Sequence, residues 1–292
     1  MRQSLLAASA ALLFTATAAD AVLIYGINHL TGGPNSSDSL VVFDSGNPAG
    51  FTVIGSTGVN GVGFGGLAFD RSGGLWAYAS YYSATGGAAA GLYRIDINTG
   101  AATAVGSSTR TLDDLAYNPV TDKMYGIRTQ QGQGSRLYEV DLSTGATTLV
   151  GSLTGIDGVH ALTGLAFDSA GNMYVNDVAN GRIYGGSGLA MTALYDAPYV
   201  LAGSQGIDID WSRDDTGYHA AVAQGIFPNY ISQLNTFALD GSGYFLGDVF
   251  GPNTPDGLPA LQLGDIAIAP IPAPGAAALF LAAAPLATRR RR

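Results

Sequence analysis

The chain has 292 residues, no cysteine, and 13 Lys and Arg against 22 Asp and Glu, for a formal charge of −9 with charged residues making up 12% of the whole. These figures exclude a disulfide scaffold, a thiolate metal site, a cysteine nucleophile and an overall basic nucleic-acid binder, because attraction to phosphate needs clustered Lys and Arg. A 47% hydrophobic share supplies a sizeable core and excludes a disordered chain, while 42 glycines, roughly twice the usual fraction, point to many turns.

Arg2 is followed by an uncharged stretch rich in Leu and Ala, and Ala19-Asp20-Ala21 places small residues at the two positions a signal peptidase reads. This order predicts a secretory signal peptide over residues 1–21, cut after Ala21, with Ala16-Thr17-Ala18 as the alternative cut.

From residue 22 onward the chain repeats itself. Leu92 to Ser107 (LYRIDINTGAATAVGS) and Leu137 to Ser152 (LYEVDLSTGATTLVGS) share 10 of 16 positions at an offset of 45 residues, which marks a repeated supersecondary unit. Within each copy an alternating strand leads to an Asn/Ser-Thr-Gly turn and a returning strand. A second element precedes it: Leu67 to Asp70, Leu115 to Asn118, Leu165 to Asp168 and Ile207 to Asp210 are short apolar strands ending in Asp or Asn. Each is followed by a turn and a further strand, at Leu75 to Ser80, Met124 to Thr129, Met173 to Val178 and Tyr218 to Ala223. The unit therefore has four strands.

At the start, Leu23 to Asn28, Leu40 to Asp44 and Phe51 to Gly55 match a second, third and fourth strand, so the first unit lacks its opening strand. Asp265 to Ala269 supplies one at the far end. A ring whose last strand completes its first sheet accounts for both facts, and it leaves only short, protected sheet edges. The expected fold is all-β, a five-bladed β-propeller over residues 22–269 with four-stranded blades and closure by the two termini. The alternative is six blades, with a degenerate unit between Ile207 and Gly264. The inner strands of the Leu-Ala-Phe-Asp type followed by a Gly turn resemble the broad NHL-like group of extracellular propellers, which implies a ring fold and includes binding proteins, scaffolds, hydrolases and lyases.

Several residues are candidates for chemistry. Asp70 and Asp168 each stand three residues before a glycine, where an Asp side chain caps the turn backbone. Asp208 and Asp210 lie two apart, on one face of a strand, and with Asp214 they form the candidate Ca²⁺ site, since a hard cation relieves carboxylate repulsion. Asp113 and Asp114 are strand neighbours and face opposite ways. His29, His160 and His219 fall in different units. Among the aromatics, Trp76 and Tyr78 share one strand face and suit packing between blades, leaving Tyr81 and Tyr82, read as a loop pair just after the strand, as candidate ligand-binding residues.

The C-terminal segment, 270–292, runs Pro270-Ile271-Pro272-Ala273-Pro274-Gly275, then an apolar stretch from Ala276 to Ala287, then Thr288 and Arg289, Arg290, Arg291 and Arg292. The apolar stretch is shorter than the roughly 20 residues of a membrane span, which suits transient anchoring, and the arginines would stay on the cytoplasmic side. This tail resembles the PEP-CTERM sorting signals of Gram-negative bacteria, with Ala273 where that family has its central glutamate. The resemblance implies an exosortase-like processing enzyme as partner and delivery to the envelope surface or extracellular matrix.

Arg2 and the terminal arginines account for five of the 13 basic residues and Asp20 for one of the 22 acidic ones, so residues 22–269 carry about −13. Nucleic acid and anionic membranes are poor partners for such a surface. The expected function is that of an exported, non-enzymatic binding or scaffold protein presenting loops to an extracellular polysaccharide or protein. The competing class is a propeller hydrolase or lyase with a metal-assisted site at the channel mouth.

Overall fold

A computed structural model describes residues 21–29, 37–82, 91–106, 110–130, 134–156, 158, 160–196, 206–223, 231–251 and 261–271. These residues form five four-stranded antiparallel sheets and no helix. The first blade holds β1 (Leu23–Asn28), β2 (Ser39–Asp44) and β3 (Asn47–Ser56). The second is β4 (Val62–Phe69), β5 (Leu75–Tyr82), β6 (Leu92–Ile95) and β7 (Ala102–Val105). The third is β8 (Asp114–Asn118), β9 (Lys123–Gln130), β10 (Gly134–Val140) and β11 (Thr147–Ser152). The fourth is β12 (Leu162–Phe167), β13 (Met173–Asp177), β14 (Arg182–Gly186) and β15 (Thr192–Asp196). The fifth is β16 (Gly206–Ile209), β17 (Gly217–Ala223), β18 (Ile231–Phe237) and β19 (Tyr244–Phe245).

The final strand, β20 (Leu263–Ile268), pairs antiparallel with β1 and so becomes the inner strand of the first blade. The inner strands β20, β4, β8, β12 and β16 touch one another in cyclic order, β16 returning to β20. The chain is a five-bladed β-propeller closed by its own two termini.

Inner-strand side chains alternate between two neighbours, as the pleat requires. Leu67 and Phe69 face the preceding blade, packing on Tyr25, Ile27 and Leu40, whereas the intervening Ala68 faces the following one, against Leu115 and Tyr117. Ala116 meets Leu165 and Phe167, Ala166 meets Ile207 and Ile209, and Ala267 meets Leu67 and Phe69 in the same way. Large residues therefore alternate with Gly, Ala or Asp along every inner strand, and each of five cores lies between two blades. Buried aromatics fill them: Phe64 stacks edge-on to Tyr93 at 5.1 Å and Phe43 to Phe250 at 4.9 Å between centroids. Each such side chain contributes about 1.5–3 kcal/mol on burial.

The Thr-Gly and Val-Gly-Ser segments of the repeat meet at the outer rim. Gly100, with φ +79°, would place a Cβ 2.5 Å from the carbonyl of Gly55 in the blade before it, and Gly145, with φ +71°, would place one 2.3 Å from the Val105 carbonyl. Conversely, a Cβ on Gly106 would lie 1.9 Å from the Thr144 carbonyl. The repeated glycines allow the turn of one blade to seat on the outer strand of the last.

Gly106→Ala and Gly73→Ala separate the two demands on such positions. Gly73, with φ +80°, has nothing within 4 Å of its Cβ direction, so alanine there should cost about 1–2 kcal/mol from the left-handed backbone alone. At Gly106 the rim contact should add about 1–3 kcal/mol more, read from the shift in the urea midpoint. A chain ending at residue 262 loses buried Leu263, Ile266 and Ile268, about 5–9 kcal/mol in all and comparable to the whole stability of a domain. Its melting temperature should collapse, while a chain ending at residue 272 should melt like the full-length protein.

Candidate functional site

Each blade turns the free edge of its inner strand toward the axis, and those N–H groups need acceptors. Asp38, just before β2, accepts from Phe64 N–H of β4 at 3.0 Å, and three aspartates of the inner strands themselves provide further acceptors. Asp265 Oδ1 accepts from Ile266 N–H of its own strand at 2.8 Å, and its Oδ2 accepts from Leu67 N–H of the next blade at 2.6 Å. Asp114 repeats this, accepting from Leu115 N–H at 2.5 Å and from Leu165 N–H of the fourth blade. Asp208 does the same two residues further along, accepting from Ile209 N–H at 2.8 Å and Ile268 N–H at 2.7 Å.

Asp114 and Asp265 also hydrogen-bond each other across the axis, and at 0% and 1% exposure they fill it. Burial pushes both carboxyls well above the usual range; Asp265 adds to the effect at Asp114, and the charge of Asp208 adds to it at Asp265. The Asp208 residue keeps some exposed surface although its carboxyl lies inside, and burial raises it to about 7. At the far end of the axis Trp211 reaches from the fifth blade to Tyr117 of the third, ring centroids 5.5 Å apart.

The other candidates have local partners. Asp70 accepts from Ser72 N–H, Gly74 N–H and Trp76 Nε1, and Asp168 accepts from Ala170 N–H and Asn172 N–H and from the side chains of Asn172 and Tyr174. Both cap turns, as expected from the glycines after them. Trp76 and Tyr78 are buried between the second and third blades. Asp113 turns away from the axis to accept from Thr129 N–H at 2.6 Å, and burial lifts it to about 6.

Asp208 and Asp210 part company because β16 ends at Ile209. Asp210 lies in the turn that follows and takes the Arg213 guanidinium at 2.8 Å, while exposed Asp214 accepts from Thr216 N–H. Among the described residues no group of three or more His, Asp or Glu is arranged to hold a metal ion. The histidines do not converge: His29 Nδ1 lies 3.0 Å from Asp38 Oδ1, His160 Nδ1 3.1 Å from the Gly158 carbonyl, and His219 Nδ1 2.7 Å from Tyr244 Oη. Tyr81 and Tyr82 belong to β5 rather than to the loop after it, because β4 starts at Val62 and pairs Val62 with Tyr82 and Gly63 with Tyr81. Their side chains, and residues 272–292 with Pro272 to Gly275 and Arg289 to Arg292, lie outside the described residues.

The Asp114–Asp265 pair escaped the sequence reading. Aligned on the leucine or isoleucine that follows, the five inner strands carry Asp265, Gly66, Asp114, Gly164 and Gly206 at one position. A charged residue alternating with glycine inside an apolar strand was the available signal.

No protein-family model and no curated protein matches the chain. Among solved structures, the crystal structure of TolB from Acinetobacter baumannii aligns over 86% of this chain and 67% of that chain, with 14% identity and a TM-score of 0.47.

The raised carboxyls set a pH dependence. A carboxyl whose folded pKa lies above its ordinary value near 4 stabilises fully below that value and loses the contribution as pH climbs to the folded pKa. His219, pushed down to about 3 by burial, works oppositely, losing stability as pH falls below its ordinary value of about 6.5. Thermal melts between about pH 5 and 8 should therefore show Asp208→Asn gaining less on acidification than the unmodified protein, and His219→Gln gaining more.

Proposed function

We propose that this propeller is an exported, non-enzymatic binding or scaffold protein of the cell surface or extracellular matrix, presenting its rim and loops to a polysaccharide or protein partner. The observation that supports this reading is the use made of the axial carboxylates. Groups from separate blades do meet at Asp114 and Asp265, the arrangement an enzyme would need, but they are 0% and 1% exposed and spend their oxygens joining blades. A substrate has no access to them. We assign the partner instead to strand ends and loops away from these carboxyls, with Tyr81 and Tyr82 at the end of β5 among them.

The ends of the sequence extend the proposal. Signal peptidase cuts after Ala21, and the apolar stretch from Ala276 to Ala287 holds the precursor in the membrane with its arginines on the cytoplasmic side. An exosortase-like enzyme then acts near Pro272-Ala273-Pro274-Gly275 and releases or transfers the propeller.

Two measurements test this. Aromatic stacking contributes about 1 kcal/mol per ring, so Tyr81→Ala with Tyr82→Ala should weaken binding to extracellular polysaccharide from the native host by about tenfold or more without moving the melting temperature. Intact-mass analysis of surface protein from that host should find the arginine tail missing, and replacing Arg289 to Arg292 with serine should leave the precursor unprocessed. Surface protein ending at Arg292 would overturn the sorting step.

A further inference from the structure

The first blade is the one assembled from both ends of the chain, and β20 joins it through hydrogen bonds to β1 and contacts to β4, β16 and β17. Aspartates engage β20 from three sides. It carries Asp265, which reaches Leu67 N–H ahead of it; it receives Asp208 on Ile268 N–H from behind; and it meets Asp114 across the axis. The two buried carboxyls are in side-chain hydrogen-bond contact while each of their four oxygens already accepts from a backbone N–H. Two carboxyl groups in hydrogen-bond contact need one hydrogen between them, for without it two anions face each other in a buried site where screening is weak.

We propose that a proton shared by Asp114 and Asp265 closes the ring: with it the pair ties β20 to the third blade, and without it β20 is expelled, so the propeller opens at its one non-sequential blade as pH rises.

The surroundings leave the proton as the neutralising charge. β4 and β12 bring no titratable side chain to the axis, and β16 brings Asp208, which adds negative charge. On β9 the guanidinium of Arg128 acts on Asp113, which points away, and just after β1 His29 packs against Gly264, its Nε2 2.0 Å from where a Cβ there would lie, with its Nδ1 held 3.0 Å from Asp38 Oδ1. From β1, Tyr25 turns into the core between the first two blades, edge-on to Phe69. From β5, Tyr78 is buried between the second and third blades. On β17, His219 is neutral and held against Tyr244, and Tyr218 packs into the core between the fifth and first blades. The interfaces on either side of β20 are also the two at which an aspartate crosses to or from this strand, so loss of the proton concentrates repulsion at the seam.

Hydrogen exchange of the full chain between about pH 6 and 9, corrected for intrinsic rates, tests the device. Amides of β20 and β1 should open progressively, the opening equilibrium moving about tenfold per pH unit once the proton is lost, while amides of β9 and β10 change less. In Asp114→Asn the amide nitrogen no longer accepts from one of the two backbone N–H groups, so β20 should be less protected at every pH, but with no shared proton to lose its exchange should vary far less across the same range. Asp208→Asn should keep the pH dependence. If Asp114→Asn does not fold, Asp265→Asn takes its place with the roles reversed, and if neither folds the exchange of β20 in the unmodified protein decides. Exchange of β20 that is flat with pH would overturn the proposal. So would an Asp114→Asn protein as pH-dependent as its parent, a dependence removed by Asp208→Asn alone, or protection of β20 at high pH restored by added Ca²⁺, which would make the neutralising charge a cation.

Discussion

Everything in this fold answers one constraint: a sheet has two edges, and a propeller points five of them at each other. Outer edges can face water, but at the axis the unpaired N–H groups of β20, β4, β8, β12 and β16 lie where water is scarce, and an unmet buried donor costs about 1–3 kcal/mol. The aspartates meet that demand with acceptors supplied two at a time. Each carboxylate joins an N–H of its own strand to an N–H of the next blade, so satisfying the donors and joining the blades are one act. The cost is burial of charge, which appears in the raised carboxyls of Asp114, Asp208 and Asp265.

The rim follows the same economy by a different route. Where blades splay apart, side chains fill the gap and five apolar cores form. At the perimeter, turns seat on neighbouring outer strands with carbonyl contacts too close for any Cβ, as at Gly100 on Gly55 and Gly106 on Thr144. The bottom turns are tied as well: Arg71 donates to Tyr117 and to the Pro119 carbonyl, Ser169 donates to Asp215, and Arg213 donates to the Ala269 carbonyl. Each blade is thus held at its axis, its core and its turns. That distribution suits a protein whose formal charge over residues 22–269 is about −13, where self-repulsion opposes the compact state.

The strands and their number were legible because alternation and turn residues are local. Leu23–Asn28 is bounded as the alternation predicts, and the missing first strand correctly sent the reading to the C-terminus. Errors arose where geometry is cooperative. The bulges in the β4–β5 pairing between Gly63 and Gly66 extend both strands beyond their apolar runs, which moved Tyr81 and Tyr82 from a loop into β5. The parity rule applied to Asp113 and Asp114 was right that they face opposite ways, but parity says nothing of what either one faces. Asp208 lies in β16 and Asp210 in the turn after it, so the two carboxyls take different partners although the charge of Asp210 still acts on Asp208. Trp211 against Tyr117 required the ring itself, since no local pattern brings the fifth blade to the third.

The alignment of Asp265, Gly66, Asp114, Gly164 and Gly206 then has a geometric reason. A Cβ on Gly206 would sit 2.0 Å from Asp265 Oδ1, and one on Gly66 would sit 2.8 Å from the Asp114 carbonyl carbon and 2.6 Å from Leu115 N. At Gly66 it is the backbone of the following inner strand that leaves no room for a side chain, at Gly164 a Cβ would meet Ile207 Cγ1 at 2.9 Å, and only at Gly206 does the carboxylate of Asp265 itself fill the space. Two non-adjacent carboxyls at one level of a narrow axis are brought face to face, and a pair is the smallest set that can hold a single proton between two acceptors. Close packing of the inner strands, which leaves Gly66, Gly164 and Gly206 without room for a side chain, is thus what lets the carboxyls of Asp114 and Asp265 occupy this layer.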